Sequence, residues 1–288
     1  MFSWEASLSN ELYFVRQYFY SGSYDKLFEI DTSSLSEKGL ELTELYMARA
    51  KLALGESIES IQGTLTQKSA GGAALLALAG EGNMDLLIEQ YGDSDAAVQT
   101  LGAIYLIHRG AYDEALSLLQ KSVENLEAVA LETYIHLYQH KLEAAEAAIT
   151  RCLDWADEEI VLQIAQSWAK LARGGLDSYN DAFYVYEELN GSESNPRVLT
   201  CMACSDLCLL RTQEALSSLR SALELQSNYA PAAANLKTAV LALGPLAPLD
   251  TKQLYENSSC GAFLTKQLDQ KSQEFDALAK QFLANSSA

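Results

Sequence analysis

Residues 96–126, AAVQTLGAIYLIHRGAYDEALSLLQKSVENL, decide the fold that this sequence predicts. Apolar side chains recur at helical spacing on both sides of Gly110, which predicts two amphipathic helices around a tight turn. Gly110 can end the first helix in the left-handed conformation without a Cβ penalty. Ala103 and Ala115 are small enough to let the paired helices approach closely, and Tyr112 fills the gap beside them.

Similar units recur along the chain. A glycine–aromatic turn stands at 22–27 and again at 110–115, and degenerate copies follow at 141–145, 179–182 and 212–215. Turn glycines are expected at Gly22, Gly55, Gly82, Gly110 and Gly244. The unit resembles the tetratricopeptide (TPR) repeat, whose period is about 34 residues. The resemblance implies an all-α, TPR-like α-α solenoid, a right-handed superhelix whose first helices line a concave groove and whose contact order is low.

The repeats set the expected domain boundaries. We expect tandem helix-turn-helix repeats over 1–244, a proline-containing connection over 245–261 and a C-terminal capping helix over 262–288, in one continuous solenoid domain. About five residues, 173–178, are inserted between two helices, and 68–91 matches the repeat poorly. The capping helix carries a plausible packing face, consisting of Phe263, Leu264, Leu268, Phe275, Leu278 and Phe282.

Composition limits the classes of partner. The 288 residues carry 20 Lys+Arg and 39 Asp+Glu, a net charge of −19, so nucleic-acid phosphates and anionic lipid headgroups repel the chain. Apolar residues make up 49%, which excludes intrinsic disorder. The start lacks a secretory leader, and no apolar stretch approaches the ~20 residues of a membrane span. We therefore expect a cytoplasmic protein with reduced cysteines and no direct contact with nucleic acid or membrane.

TPR geometry implies which first-helix positions face the groove. Of thirty such positions in six units, twenty are apolar, and the charged ones are Arg16, Arg49, Arg197 and Glu127, a net charge of +2. This composition is typical of a protein-binding surface. The predicted partner-binding residues are Leu12, Arg16, Phe19, Tyr20, Leu45, Arg49, Leu52, Ile104, Ile107, Tyr134, Leu137, Tyr138, Leu207 and Leu241. The alternative is a one-residue frame error that assigns core residues to the groove.

Candidate chemical sites are weak. Cys201, Cys204 and Cys208 lie on one face of a helix without the second cysteine pair of a zinc site, and His136 and His140 lack a metalloprotease motif. No glycine cluster fits a nucleotide-binding motif. We expect no enzyme activity, no metal and no cofactor. A chaperone-type carboxylate clamp would need several Lys, Asn and Arg in the groove, where the first unit offers only Arg16.

Specific stretches resemble the ε subunit family of coatomer (ε-COP) over nearly the whole chain. They are 11–24, LQIAQSWAKLARGG at 162–175, 179–189, 227–236 and 262–278. The resemblance implies a structural subunit of the COPI vesicle coat that stably binds and stabilises the C-terminal domain of α-COP, alongside other coatomer subunits. It also implies a role in Golgi-to-ER and intra-Golgi transport, peripherally on Golgi membranes and COPI vesicles. The alternative is a TPR scaffold or cochaperone adaptor that binds short peptides transiently.

Overall fold

The computed structural model describes residues 11–66, 68–156, 159–191, 194–246 and 259–286, and within them every regular element is a helix. The chain divides into two compact units, unit 1 over Met1–Val185 and unit 2 over Tyr186–Ala288. The α-helices in chain order are α1 Tyr13–Ser21, α2 Tyr24–Phe28, α3 Glu37–Leu54, α4 Ile58–Thr64, α5 Ala70–Leu78, α6 Met84–Tyr91, α7 Ala96–His108, α8 Tyr112–Leu119, α9 Leu126–Tyr138, α10 Leu142–Thr150, α11 Leu153–Ala156, α12 Ile160–Arg173, α13 Leu176–Asn190, α14 Pro196–Cys208, α15 Thr212–Leu225, α16 Ala230–Leu243 and α17 Ser259–Ser286.

The helices pack as adjacent pairs, which confirms the all-α solenoid. The opening stretch of sequence forms the pair α7 and α8, and the poorly matching stretch 68–91 forms the regular pair α5 and α6. Side-chain oxygens at the N-caps start many of the helices by accepting backbone N–H groups. These N-caps are Ser36, Ser57, Ser69, Asn83, Asp95, Asn125 and Asn195.

The turns between paired helices use left-handed backbone. All five expected turn glycines have positive φ, including Gly110 at 76°. His140 at 58° and Leu210 at 60° hold the equivalent places after α9 and α14. A left-handed conformation is unfavourable by about 1–2 kcal/mol for a residue with a Cβ. These two turns therefore lack the glycine by which a repeat is recognised, yet they keep its geometry.

The inserted stretch 173–178 does not form the expected five-residue insertion between helices. Helix α12 ends at Arg173 and α13 begins at Leu176, so only Gly174 and Gly175 separate them. Their φ angles are 80° and 93°. The added residues lengthen the second helix of the pair because two consecutive glycines with positive φ suffice to reverse the chain.

Close approach of helices explains several small residues. Ala103 and Ala115 are fully buried between α7 and α8, as the sequence predicts. Gly102, one position earlier, packs against the helices on either side: a Cβ there would lie 2.9 Å from Ile88 Cγ1 and 3.0 Å from Leu118 Cδ2. Helix α7 thus needs a residue without a side chain at this point of contact.

The C-terminal segment differs from the expectation. Residues 247–258, most of the expected connection, lie outside the described residues, and α17 begins at Ser259 instead of 262. The helix contacts α16. The side chains of Phe263 and Leu264 lie outside those described, but the apolar side chains that follow are exposed: Leu268 53%, Phe275 71%, Leu278 64% and Phe282 71%. The packing of this face as a cap therefore stays a prediction.

A buried carboxyl lies in unit 2. Asp206, on α14, is 3% exposed, and its Oδ1 lies 3.8 Å from Arg211 Nη1. Burial raises the pKa of Asp206 to about 6, against a lowering effect of the Arg211 charge. The ordinary pKa is 3.8, so between about pH 4 and pH 6 the folded chain holds a proton that the unfolded chain has lost. The stability of unit 2 therefore falls as the pH rises through this window.

Gly102→Ala should lower the free energy of unfolding by about 1–3 kcal/mol because Ile88 and Leu118 must move. The matched control is Gly63→Ala on α4, where an added Cβ meets no heavy atom within 4 Å. That change should stabilise the chain by about 0.5–1 kcal/mol through helix propensity. Urea unfolding of both variants measures the difference. Equal stabilisation by the two substitutions would contradict the close packing described here.

Asp206→Asn should raise the free energy of unfolding at pH 7 by up to about 3 kcal/mol because it removes a buried charge. The gain should shrink as the pH falls below 6 and vanish below about pH 4, where the native carboxyl is already protonated. Denaturant unfolding at pH 4, 5.5 and 7 measures it, with the exposed Asp269→Asn as control. A gain that does not depend on pH would mean that burial of charge is not its source.

Candidate partner-binding surface

The first helices of unit 1 form a closed ring. Helices α1, α3, α5, α7, α9 and α12 contact one another in succession, and α12 returns to contact α1. Arg16 on α1 makes an ion pair at this closure with Glu159, the residue before α12, with Nη1 and Oε1 3.6 Å apart. We call the side of the ring that carries the contacts of Arg49 with Glu127, Phe19 and Tyr46 the inner surface. The sequence placed the predicted groove residues of unit 1 on these same helices.

A largely buried ion pair crosses the inner surface. Arg49 on α3 donates from both Nη atoms to the carboxylate of Glu127 on α9, with Nη1 to Oε2 at 2.9 Å. The two side chains are 11% and 15% exposed. Helices α3 and α9 stand opposite each other in the ring, so the pair joins elements that are not neighbours. A bidentate guanidinium–carboxylate contact fixes both the distance and the orientation of the two helices.

Aromatic rings surround the Arg49 guanidinium. Its carbon lies 4.8 Å from the ring centroid of Phe19 and 5.4 Å from that of Tyr46. The hydroxyl oxygens of Tyr20 and Tyr46 are 3.4 Å apart. Cations are attracted to the faces of aromatic rings, most strongly where water is excluded. The arginine therefore has both an ionic partner and an aromatic environment supplied by the chain itself.

The electrostatics of this cluster follow from burial and from one carboxylate. Burial, together with the negative charge of Glu127, raises the pKa of both Tyr20 and Tyr46, so their hydroxyls remain neutral. Burial alone would lower the pKa of Arg49, but Glu127 more than offsets it and the net shift is upward. Tyr20 and Tyr46 are thus neutral and Arg49 is charged at neutral pH.

The predicted binding residues fall into three classes of exposure. Leu12, Phe19 and Leu45 are buried in the hydrophobic core. Arg16, Tyr20, Arg49, Leu52, Ile104, Ile107, Leu137 and Leu207 are half-buried. Tyr134, Tyr138 and Leu241 are exposed, by 42%, 58% and 62%. Leu207 and Leu241 belong to unit 2, so the inner surface of unit 1 contains only the others. Their role in partner binding stays a prediction.

The sequence missed two residues of the inner surface. Tyr46 contacts Arg49 and Phe19, whereas its neighbour Leu45 points into the core. Arg49, three residues on, lies where the repeat frame placed it, so the frame differs from the structure only at Leu45 in these two positions. The i, i+3 spacing of Tyr46 and Arg49 was the available signal. Glu159 gave none, because its contact with Arg16 depends on closure of the ring.

Three tyrosines, of which Tyr134 and Tyr138 are exposed and Tyr112 is half-buried, form a patch on α8 and α9. The aromatic patch consists of Tyr112, Tyr134 and Tyr138, with ring centroids 5.1 Å apart between Tyr112 and Tyr138 and 6.3 Å apart between Tyr134 and Tyr138. A hydrogen bond with Tyr138, together with burial, raises the pKa of Tyr112. Tyrosine is enriched at protein interfaces because it combines a large apolar ring with a polar end. Tyr134 and Tyr138 are the exposed members of the predicted set in unit 1.

The cysteines of α14 are held as thiols. Burial raises the pKa of Cys201 to about 11 and that of Cys204 to about 12, so neither is a thiolate at neutral pH. Cys204 Sγ instead lies 3.2 Å from Asn235 Nδ2. Among the described residues, no group of three His, Cys, Asp or Glu side chains is placed to hold a metal ion. Since the thiolate is the reactive form, this cluster is poorly suited to redox chemistry.

The chain is similar to proteins of one family. The sequence model of the family described as coatomer epsilon subunit matches residues 8–283. The probable coatomer subunit epsilon of Schizosaccharomyces pombe is 66% identical over 287 residues, which cover 99% of both chains. In the part of the chain that the structure describes, no helix is long and apolar enough to cross a bilayer.

Arg49→Met should lower the free energy of unfolding by about 3 kcal/mol because it leaves the Glu127 carboxylate buried without its cation. The double variant Arg49→Met/Glu127→Gln should recover most of this loss, since no buried charge remains. Urea unfolding of the single and double variants measures the coupling. The control Lys38→Met breaks the Lys38–Glu41 pair, in which the lysine is 50% exposed, and should have little effect. A loss for Arg49→Met as small as that of the control would mean that the pair does not stabilise the ring.

Proposed function

The chain belongs to the coatomer epsilon subunit family, and we propose that within the COPI coat it binds and stabilises the C-terminal domain of α-COP. The complex serves Golgi-to-ER retrograde and intra-Golgi transport. The protein acts in the cytoplasm and reaches Golgi membranes and COPI vesicles through other coat subunits. The proposed role is structural and needs no reaction or cofactor.

The aromatic patch is the observation that carries the proposal. Tyr134 and Tyr138 are exposed on a first helix, beside the half-buried Leu137. A chain with a net charge of −19 presents here three adjacent tyrosine rings. Enrichment in aromatics is typical of the centre of an interface. Such a surface favours a lasting protein complex.

The arginine contacts argue against the alternative of a peptide-binding adaptor. A carboxylate clamp needs cations that are available to the ligand. Glu127 already holds Arg49, and Glu159 lies beside Arg16. A peptide carboxylate would have to displace these glutamates, whereas an apolar partner surface on the aromatic patch would leave both ion pairs intact.

The double variant Tyr134→Glu/Tyr138→Glu should weaken binding to the C-terminal domain of α-COP by about 100-fold because both rings are lost from the interface centre. Its unfolding midpoint should stay close to that of the wild type, since both side chains are exposed in the free chain. Size-exclusion chromatography of the co-expressed pair and isothermal titration calorimetry measure the loss. Tyr184→Glu is the matched control, because Tyr184 is 60% exposed on the second helix α13.

The outcomes distinguish a partner-binding surface from a one-residue error in the repeat frame that assigns core residues to it. Binding equal to that of the control would contradict the proposed surface. Unfolding of the double variant on its own would mean that the tyrosines are core residues.

A further inference from the structure

Helix α9 carries both the ion-paired carboxylate of Glu127 and the exposed tyrosines of the aromatic patch. Glu127 precedes Tyr134 by seven residues and Tyr138 by eleven. At 3.6 residues per turn, these spacings place the three residues on one face of the helix. Glu127 lies in the first turn, and Tyr138 is the last residue. One rigid element therefore connects the Arg49–Glu127 pair to the surface that we assign to the partner.

The ion pair constrains α9 from a direction that its neighbours do not. Helix α9 contacts α7 and α12, which adjoin it in the ring, and the second helices α8 and α10. Arg49 comes instead from α3 on the opposite side, and it donates to both oxygens of the Glu127 carboxylate. A bidentate contact restricts orientation as well as distance. The pair therefore fixes the first turn of α9 relative to the far side of the ring.

The arginine end of this contact is itself held in place. The Arg49 guanidinium carbon lies 4.8 Å from the ring centroid of Phe19, and the rings of Phe19 and Tyr46 are 5.0 Å apart between centroids. Phe19 belongs to the core cluster of α1 and α3. Helix α9 is about 20 Å long at 1.5 Å per residue, and its backbone hydrogen bonds make it stiff. An orientation that is set at Glu127 is therefore transmitted to Tyr134 and Tyr138.

We propose that Arg49 and Glu127 are positioning residues for partner binding: their contact holds α9 in the orientation in which Tyr134 and Tyr138 meet the partner. The inference rests on the proposed function and adds the source of its preorganised surface. Without the pair, α9 samples several orientations, and only a fraction of the molecules can bind. The apparent affinity falls in proportion to that fraction. A surface that is already ordered loses less conformational entropy on binding.

Positioning and direct contact differ in their kinetics. Loss of positioning lowers the association rate constant, because fewer free molecules present the competent orientation. The dissociation rate constant stays nearly the same, because the contacts made in the complex are unchanged. Loss of a direct contact acts mostly on the dissociation rate constant. The two rate constants therefore distinguish a positioning role from a partner contact, and a contact that serves only the stability of the fold moves neither.

The test measures both rate constants for variants of the full chain with the C-terminal domain of α-COP, by biolayer interferometry. Arg49→Met/Glu127→Gln should lower the association rate constant by about three- to tenfold, with the dissociation rate constant within about twofold of the wild type. The matched control Lys38→Met/Glu41→Gln removes an exposed ion pair from the same helix α3 and should bind as the wild type does. Both double variants keep the net charge, so electrostatic steering is the same.

The variant Arg49→Lys tests the geometry of the contact without leaving the carboxylate alone. Lysine keeps the positive charge but cannot make the two-point contact of a guanidinium. The association rate constant should again fall. Hydrogen–deuterium exchange gives a readout in the free chain: the amides of α9 should exchange faster than in the wild type, and partner binding should restore their protection.

The outcomes separate this inference from the proposed function. Rate constants equal to those of the control for both Arg49 variants, with loss of binding for Tyr134→Glu/Tyr138→Glu, would overturn the inference alone. A raised dissociation rate constant with unchanged association would assign a direct partner contact to the pair, and faster association would mean that the pair obstructs the surface; either result overturns the inference. No binding by the wild-type chain would overturn the proposed function as well.

Discussion

The contact between Arg49 and Glu127 is the constraint on which unit 1 depends. A solenoid built of paired helices has no intrinsic reason to stop curving at a particular radius, because each repeat contacts only its neighbours. The bidentate pair joins opposite helices of the ring and so sets how closely they approach. Removal of water from both charges is unfavourable. The aromatic rings of Phe19 and Tyr46 contribute the environment in which the pair is retained.

Much of the fold could be predicted because repeat geometry is local. The turn at Gly110 and the small residues Ala103 and Ala115 are properties of one helix pair, and the structure places them as expected. The turns at His140 and Leu210 were harder to predict, since a non-glycine residue in a left-handed conformation has no sequence signature. The two-residue turn after Arg173 was missed because the sequence analysis assigned residues 176–178 to a loop, whereas they form the start of the next helix.

The candidate surface was less predictable, for a different reason. A helix turns by 100° per residue, so two neighbouring residues such as Leu45 and Tyr46 can differ completely, with Leu45 in the core and Tyr46 beside Arg49. The sequence predicted a net positive charge in the groove, but Arg16 and Arg49 meet glutamates once the ring closes. Contacts between residues far apart in sequence depend on curvature, and curvature is not encoded in any single repeat.

Closure of the ring also changes how unit 1 should fold. An open solenoid can fray from its ends, and its repeats add their stabilities one by one. Here α12 contacts α1, and the Arg49–Glu127 pair joins residues 78 positions apart, so contact order is higher than repeats alone imply. Because the ring of helices is closed, neither its first nor its last helix is a weak end from which unfolding can spread. Unit 1 should therefore lose its structure in a single cooperative step, with slower folding than an open array of equal length.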